Sequence, residues 1–263
     1  KFFCIQALKS FIEEDNQKVS AFVSPHLKTV LERFWLKDHF ITVNELKKNI
    51  KIIQRLNVKL TLFECLNLAY YISASKLKNV NYSLNESGLL FAGDSTRVFD
   101  NPMFQIITNI NEQHLEWCQP PTLQEVCRQK VGFLSKKTTI YVGKQNSKTM
   151  KIIKKILKKN PSKKIFYGRD WTIKKKKNER IYEDKLGKII LNYPSIISEA
   201  MFENLGLSIK VARDLNISKS KILKAIPKIN YEGRYQWITK GKLRNYLKPQ
   251  EKLLLNGCHG IAS

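Results

Sequence analysis

Apolar residues along this chain alternate between helix-like and strand-like spacing. They recur every three or four positions over Phe2–Glu14, which predicts a helix, whereas the apolar run at 19–23 predicts a short buried strand. The same alternation predicts helices over 43–56, 62–74, 122–130, 147–157, 196–214 and 218–225, and strands over 80–84, 103–108, 138–142, 164–167, 188–191, 235–238 and 253–255. Alternation of this kind is typical of a parallel sheet with helices on both faces.

Capping residues and hydrophobic patterns add detail to several of these predicted elements. Thr42 and Thr122 are each followed three residues later by a glutamate, which is the spacing of a capping box, and Ser218 is a predicted N-cap. The helix at 62–74 is apolar on all sides, which predicts burial. The run at 253–255 is typical of a central parallel strand, and the strands near 182 and 188–191 are predicted to close the sheet in antiparallel fashion.

Composition bounds the class of protein. The chain has 263 residues, 43% of them hydrophobic, enough for one large domain or for one domain and part of another. Its formal net charge is +25, which favours polyanionic partners such as nucleic acid, nucleotide phosphates, polyglutamate or an anionic membrane. The excess is mostly lysine in a chain also rich in isoleucine and asparagine, so A/T-rich codons are an alternative source. The lysine run at 174–177 is predicted to be a solvated loop or hairpin tip.

Compartment and assembly follow from what the sequence contains. No apolar run is long enough to span a bilayer, and no signal peptide is visible, although the chain starts at Lys1 and an upstream part is expected. The five cysteines form no CxxC pair, which argues for reduced thiols and against a zinc site or a disulfide framework. We therefore expect a cytoplasmic monomer.

Candidate chemistry collects in the middle of the chain. Glu86, His114 and Lys130, with Asp94, each follow a predicted strand or open a glycine-containing turn. In α/β sheets such positions gather at the carboxyl ends of the strands, where ligands bind. Spacing alone favours the simpler interpretation, in which Glu86 and Lys130 are surface charges and His114 is a loop histidine.

A series of short segments favours a ligand-binding site over surface charges and a loop histidine. Their order and spacing resemble those of the folylpolyglutamate synthase / dihydrofolate synthase family of the Mur ligase superfamily. The segments are SPHL at 24–27 with ER at 32–33, LTLFE at 60–64, ESGL at 86–89 with DST at 94–96, ITNI at 107–110 with His114, QKVGF at 129–133, EGRYQ at 232–236 and NGCH at 256–259.

The resemblance implies a fold and a reaction. The fold is α/β: a three-layer Mur-ligase-like central ATPase domain over 1–225, with a mostly parallel, P-loop NTPase-like sheet, and the start of a C-terminal Rossmann-like ligase domain over 226–263. The reaction uses ATP to phosphorylate a folate or dihydropteroate carboxylate, and L-glutamate then attacks the acyl phosphate to form an amide. Mg²⁺ is the implied cofactor, and neither a membrane nor a nucleic acid is an expected partner.

The resemblance also assigns roles to residues. Hard cations take oxygen ligands, and a planar guanidinium suits phosphate. The implied metal ligands are Ser24, Glu86, His114 and Lys130. The implied catalytic residues are Lys130, which falls on a lysine that the family carbamylates, and His114. The implied ATP-binding residues are Lys1, Asn204, Arg234, Asn256 and His259.

Departures from the family pattern predict impaired activity. Lys1 falls on the lysine of the family's GTNGKGS phosphate loop, so the rest of that loop is expected to precede this chain, and most of the second domain is expected to follow it. Bulky Phe91 stands where the family has glycine, and Gln113 stands for an aspartate. We therefore expect weak or undetectable ATP binding by these 263 residues, with an inactive family remnant as the alternative. A basic nucleic-acid-binding protein is less favoured, because the 174–177 run lacks interleaved aromatic residues and no DNA- or RNA-binding motif is present.

Overall fold

The computed structural model describes residues 1–176, 179–193, 196, 198–233 and 235–257. The helices are α1 (Phe2–Glu14), α2 (Val43–Gln54), α3 (Leu62–Ala74), α4 (Leu123–Val131), α5 (Ser147–Leu157), α6 (Glu199–Asp214) and α7 (Lys219–Ala225). The strands are β1 (Val19–Phe22), β2 (Phe34–Lys37), β3 (His39–Phe40), β4 (Tyr82–Asn85), β5 (Phe104–Ile107), β6 (Thr139–Val142), β7 (Lys163–Phe166), β8 (Trp171–Lys176), β9 (Glu179–Asp184), β10 (Gly187–Leu191), β11 (Gln236–Ile238) and β12 (Leu253–Leu255).

Parallel pairing dominates the part of the chain that carries the candidate site. β1 and β4 are parallel neighbours, and β5, β6 and β7 form a parallel sheet in that order. β2 and β3 extend the first sheet in antiparallel fashion, in the order β3-β2-β1-β4. Parallel strands need a crossover, which α4 provides between β5 and β6 and α5 between β6 and β7, whereas the longer connection from β1 to β4 contains β2, β3, α2 and α3.

Side-chain alternation along the strands distributes the helices over two faces. Ala21 of β1 and Tyr141 of β6 face one core, which they share with α1, α6 and α7. Phe22, the next residue of β1, faces α2 and α3, and Ile140 and Val142 of β6 face α4 and α5. Helix, sheet and helix therefore form three layers, and the predicted three-layer α/β fold is confirmed.

Most helix starts have a side-chain cap. Thr42 forms the predicted capping box with Glu45, and Thr61 forms a further one with Glu64. Thr122 accepts a hydrogen bond from the backbone N–H of Glu125, but the Glu125 carboxylate accepts from Arg128 and Gln129 and so does not complete the box. Ser218 caps α7 as predicted.

Some sequence-based predictions about exposure and pairing were wrong. α3 is not buried on all sides, because the side chain of Leu62 is 75% exposed at its first turn. β8, β9 and β10 do not close the parallel sheet but form their own antiparallel sheet. The lysines at 174–176 are exposed near the tip of the β8–β9 hairpin, as predicted, but they belong to strand β8 and not to a loop. All three consecutive lysines are exposed, so this end of the hairpin is solvated on both faces.

The prediction of a central parallel strand at β12 was also wrong. β12 pairs only with β11 among the described residues, the pairing is antiparallel, and Leu254 and Leu255 remain 37% and 47% exposed. An apolar run can form a strand that is covered only on one side, so composition alone does not decide its partners.

The segment that follows α7 continues into the same core as α1, through Ile226 and Ile229. The domain boundary between 225 and 226 stays a prediction. Cys4, Cys65, Cys118 and Cys127 are free thiols, whereas Cys258 lies outside the described residues. Within the described ranges, no helix combines the length and the apolar character needed to cross a bilayer.

Candidate functional site

The candidate site begins where β1 and β4 end side by side. The backbone N–H of Glu86 donates to the carbonyl of Phe22 at 2.9 Å, and the backbone N–H of Ser24 donates to Oε2 of Glu86 at 2.9 Å. Glu86 is only 5% exposed. A buried carboxylate is costly unless it is paired, so this contact fixes the Glu86 side chain at the carboxyl edge of the parallel strands. The contact uses the backbone of Ser24 and not the hydroxyl that sequence analysis singled out.

Lys1 approaches the same carboxylate from the start of α1. Its Nζ donates to the carbonyls of Ser87 and Gly88 at 2.6 and 2.8 Å and lies 3.8 Å from Oε1 of Glu86. The turn after β4 therefore presents two carbonyl oxygens and one carboxylate oxygen to a single cation. An ammonium or a metal ion satisfies this group of oxygens.

Asp94 shapes that turn. Its Oδ2 accepts the backbone N–H of Gly88 at 2.7 Å, and its Oδ1 accepts the backbone N–H of Thr96 at 2.9 Å. A Cβ on Gly88 would lie 2.7 Å from Oδ2 of Asp94, so glycine is required for this close approach. Asp94 acts here on the backbone that carries Glu86.

Lys130 reaches the turn from the end of α4. Its Nζ donates to the carbonyl of Leu89 at 2.6 Å. Burial, and then the positive charge of Lys1, lower the pKa of Lys130 to about 8. A sizeable fraction of the amine is therefore neutral in mildly alkaline solution.

His114 lies in the loop after β5, with a left-handed backbone conformation at φ 65°. Burial lowers the pKa of His114, and the charges of Lys130 and Lys1 lower it further, whereas Glu116 opposes the shift. The imidazole is therefore mainly neutral at pH 7, the form in which histidine binds metals. Lys1 and Lys130 are therefore near enough to His114 for their charges to influence its pKa.

This region is not a closed metal cage. Among the residues that the structure describes, no group of three or more histidine, cysteine, aspartate or glutamate side chains is placed to hold a metal ion. A cation at Glu86 would instead have the carbonyl oxygens of Ser87 and Gly88 beside that carboxylate, together with any ligands from another molecule.

A cavity of about 290 Å³ opens at the carboxyl ends of β5 and β6, against α6. Asn204 of α6 lines it, and its Nδ2 donates to the carbonyl of Ala200 at 2.8 Å. Lys144 and Glu203, which are joined by an ion pair of 2.7 Å, also line it. The remaining lining residues are Thr108, Asn109, Asn111, Gly143, Asn146, Ala200 and Leu207.

Gln145 connects the two strands that support this cavity. Its Nε2 donates to the carbonyl of Thr108 at 2.9 Å, and its Oε1 accepts the backbone N–H of Ile110 at 2.9 Å. Sequence analysis missed Gln145, Lys144 and Glu203. The available signal was the position of Lys144 and Gln145 directly after a predicted buried strand.

The segment before β11 packs against the loop that carries Ser24. A Cβ on Gly233, whose φ is +74°, would lie 2.8 Å from Leu27, and Lys28 forms an ion pair with Glu232 at 3.5 Å. Asn256 accepts the backbone N–H of Tyr235 at 3.3 Å, which links the ends of β11 and β12. The predicted ATP ligands Arg234 and His259 lie outside the described residues.

Sequence comparison does not assign this chain to a family: no protein-family profile matches it, and no characterised protein matches it in sequence. Structure comparison does find matches. The E. coli FolC protein in complex with DHPP and ADP superposes with a TM-score of 0.82 at 19% identity, covering 98% of this chain and 59% of the other. Folylpolyglutamate synthase from Thermotoga maritima gives 0.80 at 19% identity, over 98% of this chain and 61% of the other. The bifunctional folylpolyglutamate synthase/dihydrofolate synthase of Yersinia pestis, complexed with AMPPNP and a Mn ion, gives 0.80 at 18% identity, over 98% and 59%.

These matches define the class of fold. The chain has a Mur-ligase-like α/β fold, and the solved structures that share it include folylpolyglutamate synthases. The resemblance found in the sequence motifs is thus confirmed at the level of the fold. This chain spans about three fifths of the length of those enzymes.

Proposed function

We propose that this chain is the nucleotide-binding part of a ligase that uses ATP to join L-glutamate to the carboxylate of a folate or dihydropteroate through an acyl phosphate. One observation carries the proposal: the buried Glu86 carboxylate lies beside Lys1, and Lys130 contacts the same turn, at the carboxyl edge of parallel strands. Ligands of open α/β sheets bind at this edge. Two solved neighbours contain a bound nucleotide, ADP in one and AMPPNP in the other, which supports nucleotide binding by this fold.

The residues at the site fit a Mg²⁺ ion that arrives with a nucleotide. Mg²⁺ is usually held by one or two carboxylates together with substrate phosphates and water, so the lack of a three-residue cage among the described residues is compatible with it. Glu86, the hydroxyl of Ser24 and His114 would hold it. A bound Mg²⁺ would neutralise the negative charge that develops during phosphoryl transfer.

The cationic residues have distinct roles in this proposal. Lys1 neutralises phosphate charge, since its ammonium already lies among the oxygens of the turn. Lys130 has a pKa of about 8, so its neutral amine is available to react with carbon dioxide and become an anionic carbamate. The anion would then add a ligand to the site.

The cavity beside α6 accommodates the nucleotide base. Its lining is rich in side-chain amides, including Asn204, which donate and accept hydrogen bonds as a purine requires. Gln145 holds the two strand ends at a fixed distance, so the cavity is formed before the ligand binds. We expect the protein to act as a cytoplasmic monomer.

The test is a titration of ¹⁵N-labelled protein with Mn²⁺ and AMPPNP, followed by NMR. Paramagnetic broadening detects binding even when the affinity is low. We expect broadening that is strongest at the amides of Ser24, Glu86, Ser87 and Gly88 and falls off with distance from them, together with shift changes around Asn204 when Mg²⁺ replaces Mn²⁺. Glu86→Gln should remove the broadening, and Glu179→Gln, on the antiparallel sheet, should not. Uniform broadening, or none at millimolar ligand, would contradict the proposal.

A second titration addresses the acceptor. Tetrahydrofolate and dihydropteroate are added separately, with benzoate as a control carboxylate, in the presence of Mg²⁺ and AMPPNP. We expect shift changes at Leu89 and Leu90 with one or both pteridines and none with benzoate. If neither pteridine binds while Mn²⁺ and AMPPNP do, the nucleotide site stands and the acceptor is a different carboxylic acid.

A further inference from the structure

The long stretch between Glu125 and Asp170 contains no acidic residue but fourteen lysines and arginines. Elsewhere the chain carries 22 aspartates and glutamates, so its positive charge is unevenly distributed. Helix α5 lies in the middle of this stretch. Six exposed lysines lie on it or within the two residues that follow it. They are Lys148, Lys151, Lys154, Lys155, Lys158 and Lys159, and are called the α5 lysine stripe below.

Helical geometry places these lysines on one face. At about 3.6 residues per turn and 1.5 Å per residue, they span about 140° of the helix circumference and about 15 Å of its length. Thr149, Ile153 and Leu157 lie on the opposite side and are buried against the sheet. The stripe therefore points away from the core as a continuous cationic surface.

Few of these charges are neutralised within the described part of the chain. Lys148 lies 3.9 Å from the exposed carboxylate of Glu112, and Lys154 lies over the ring of Phe166 at 5.6 Å. The other four have no acidic partner among the described residues. Like charges this close repel one another, and a polyanion relieves that repulsion.

We propose that the α5 lysine stripe is a docking surface for the phosphate backbone of double-stranded nucleic acid. The inference does not rest on the ligase function, because the stripe includes none of the residues around Glu86. Phosphate contacts are made mainly by lysine and arginine and carry no sequence information. Binding to a phosphate backbone needs no sequence motif, and these lysines align on one surface only once α5 has formed.

Other polyanionic partners fit the stripe less well. Protein interfaces are depleted of lysine and need an apolar centre, whereas the apolar side of α5 is already buried. The same burial leaves no apolar face to enter a membrane. Single-stranded nucleic acid is held by stacking on aromatic residues, and α5 has none.

The experiment measures binding of fluorescein-labelled DNA and RNA duplexes of unrelated sequence by fluorescence anisotropy over a range of salt concentrations. If about five lysines contact phosphate, the slope of log K against log salt should be about −4 to −5. Replacing Lys151, Lys155 and Lys158 together by glutamine should make the slope less steep by about 3 and weaken binding at low salt. The preferred duplex form shows whether the backbone recognised is that of DNA or RNA.

A matched control is a second variant that has the same total charge as the first. Lys47, Lys48 and Lys51 are exposed on α2, and their joint replacement by glutamine removes the same three charges from another helix. The proposal requires the α2 variant to bind duplex as the wild type does, with both variants folded by circular dichroism. Equal weakening in the two variants would mean attraction by net charge alone. That result, or tighter binding to anionic vesicles or to single strands, would overturn the proposal.

Discussion

Ser24 and Glu86 lie 62 positions apart in sequence, yet the backbone N–H of Ser24 donates to Oε2 of Glu86 at 2.9 Å. The contact exists because β1 and β4 are parallel neighbours in register, with Phe22 opposite Asn85. It orients a buried carboxylate toward the turn that Lys1 and Lys130 also contact. The sheet therefore brings together groups that the chain supplies from four separate segments.

The amine of Lys130 makes protein stability depend on pH in a predictable direction. Its pKa falls from an ordinary value near 10.5 to about 8 in the folded protein. Between these values the unfolded chain binds more protons than the folded one, so the contribution of Lys130 to stability rises with pH there and is constant below pH 8. We expect the difference in free energy of unfolding between wild type and Lys130→Met, from urea titrations, to change between about pH 8 and pH 10. A difference that is constant over that range would show that the amine is not desolvated.

The pair of Arg213 with Asp184 is a buried ion pair. The two side chains are 6% and 0% exposed, and Asp184 also accepts from the hydroxyl of Tyr182 at 2.8 Å. Arg213→Met would leave the carboxylate buried and unpaired, at an expected cost of about 3–5 kcal/mol. The exposed pair of Lys174 with Glu183 is the control, and Lys174→Met should cost no more than about 1 kcal/mol. Urea unfolding of both variants measures the contrast, and similar costs would contradict it.

Two glycines near the site should respond differently to alanine. A Cβ on Gly88 would lie 2.7 Å from Oδ2 of Asp94 and 3.2 Å from Phe63, so Gly88→Ala should destabilise the protein by about 1–3 kcal/mol. Gly93 has no atom within 4 Å of its Cβ position, and Gly93→Ala should change stability by less than about 1 kcal/mol. Thermal or urea unfolding distinguishes the two. If Gly88→Ala leaves the stability unchanged, the turn has room for a Cβ at this position and the prediction is wrong.

Asn204 tests the location of the base. If its amide binds the purine, Asn204→Ala should weaken AMPPNP binding roughly five- to thirty-fold, which corresponds to about 1–2 kcal/mol for the lost hydrogen bonds. Stability should hold or rise slightly, since alanine favours a helix. Asn101→Ala, before the start of β5 at the other edge of the sheet, is the control. NMR titration with AMPPNP and Mg²⁺ measures both, and an unchanged affinity for Asn204→Ala would place the base elsewhere.

Local sequence was enough to predict most of the secondary structure. α1, α3 and α5 have the predicted bounds, because apolar spacing and capping residues act within a few positions of each other. Predictions that depended on distant partners were less successful. β12 has the apolar composition of a central strand but pairs antiparallel with β11, and the lysines of β8 lie on a strand whose partner comes later in the chain.

Sequence by itself thus determined the alternation of helices and strands, the three-layer class and the segments that carry Glu86, His114 and Lys130, since periodicity, caps and motif order are local properties. Only the tertiary structure decided that the backbone of Ser24, and not its hydroxyl, contacts Glu86. It also decided that Lys1 lies among the oxygens of the same turn, and that Gln145 ties β5 to β6 beside a cavity. These contacts depend on strand register and on burial, which bring together residues far apart in sequence and shift the pKa of Lys130 by removing water from its amine.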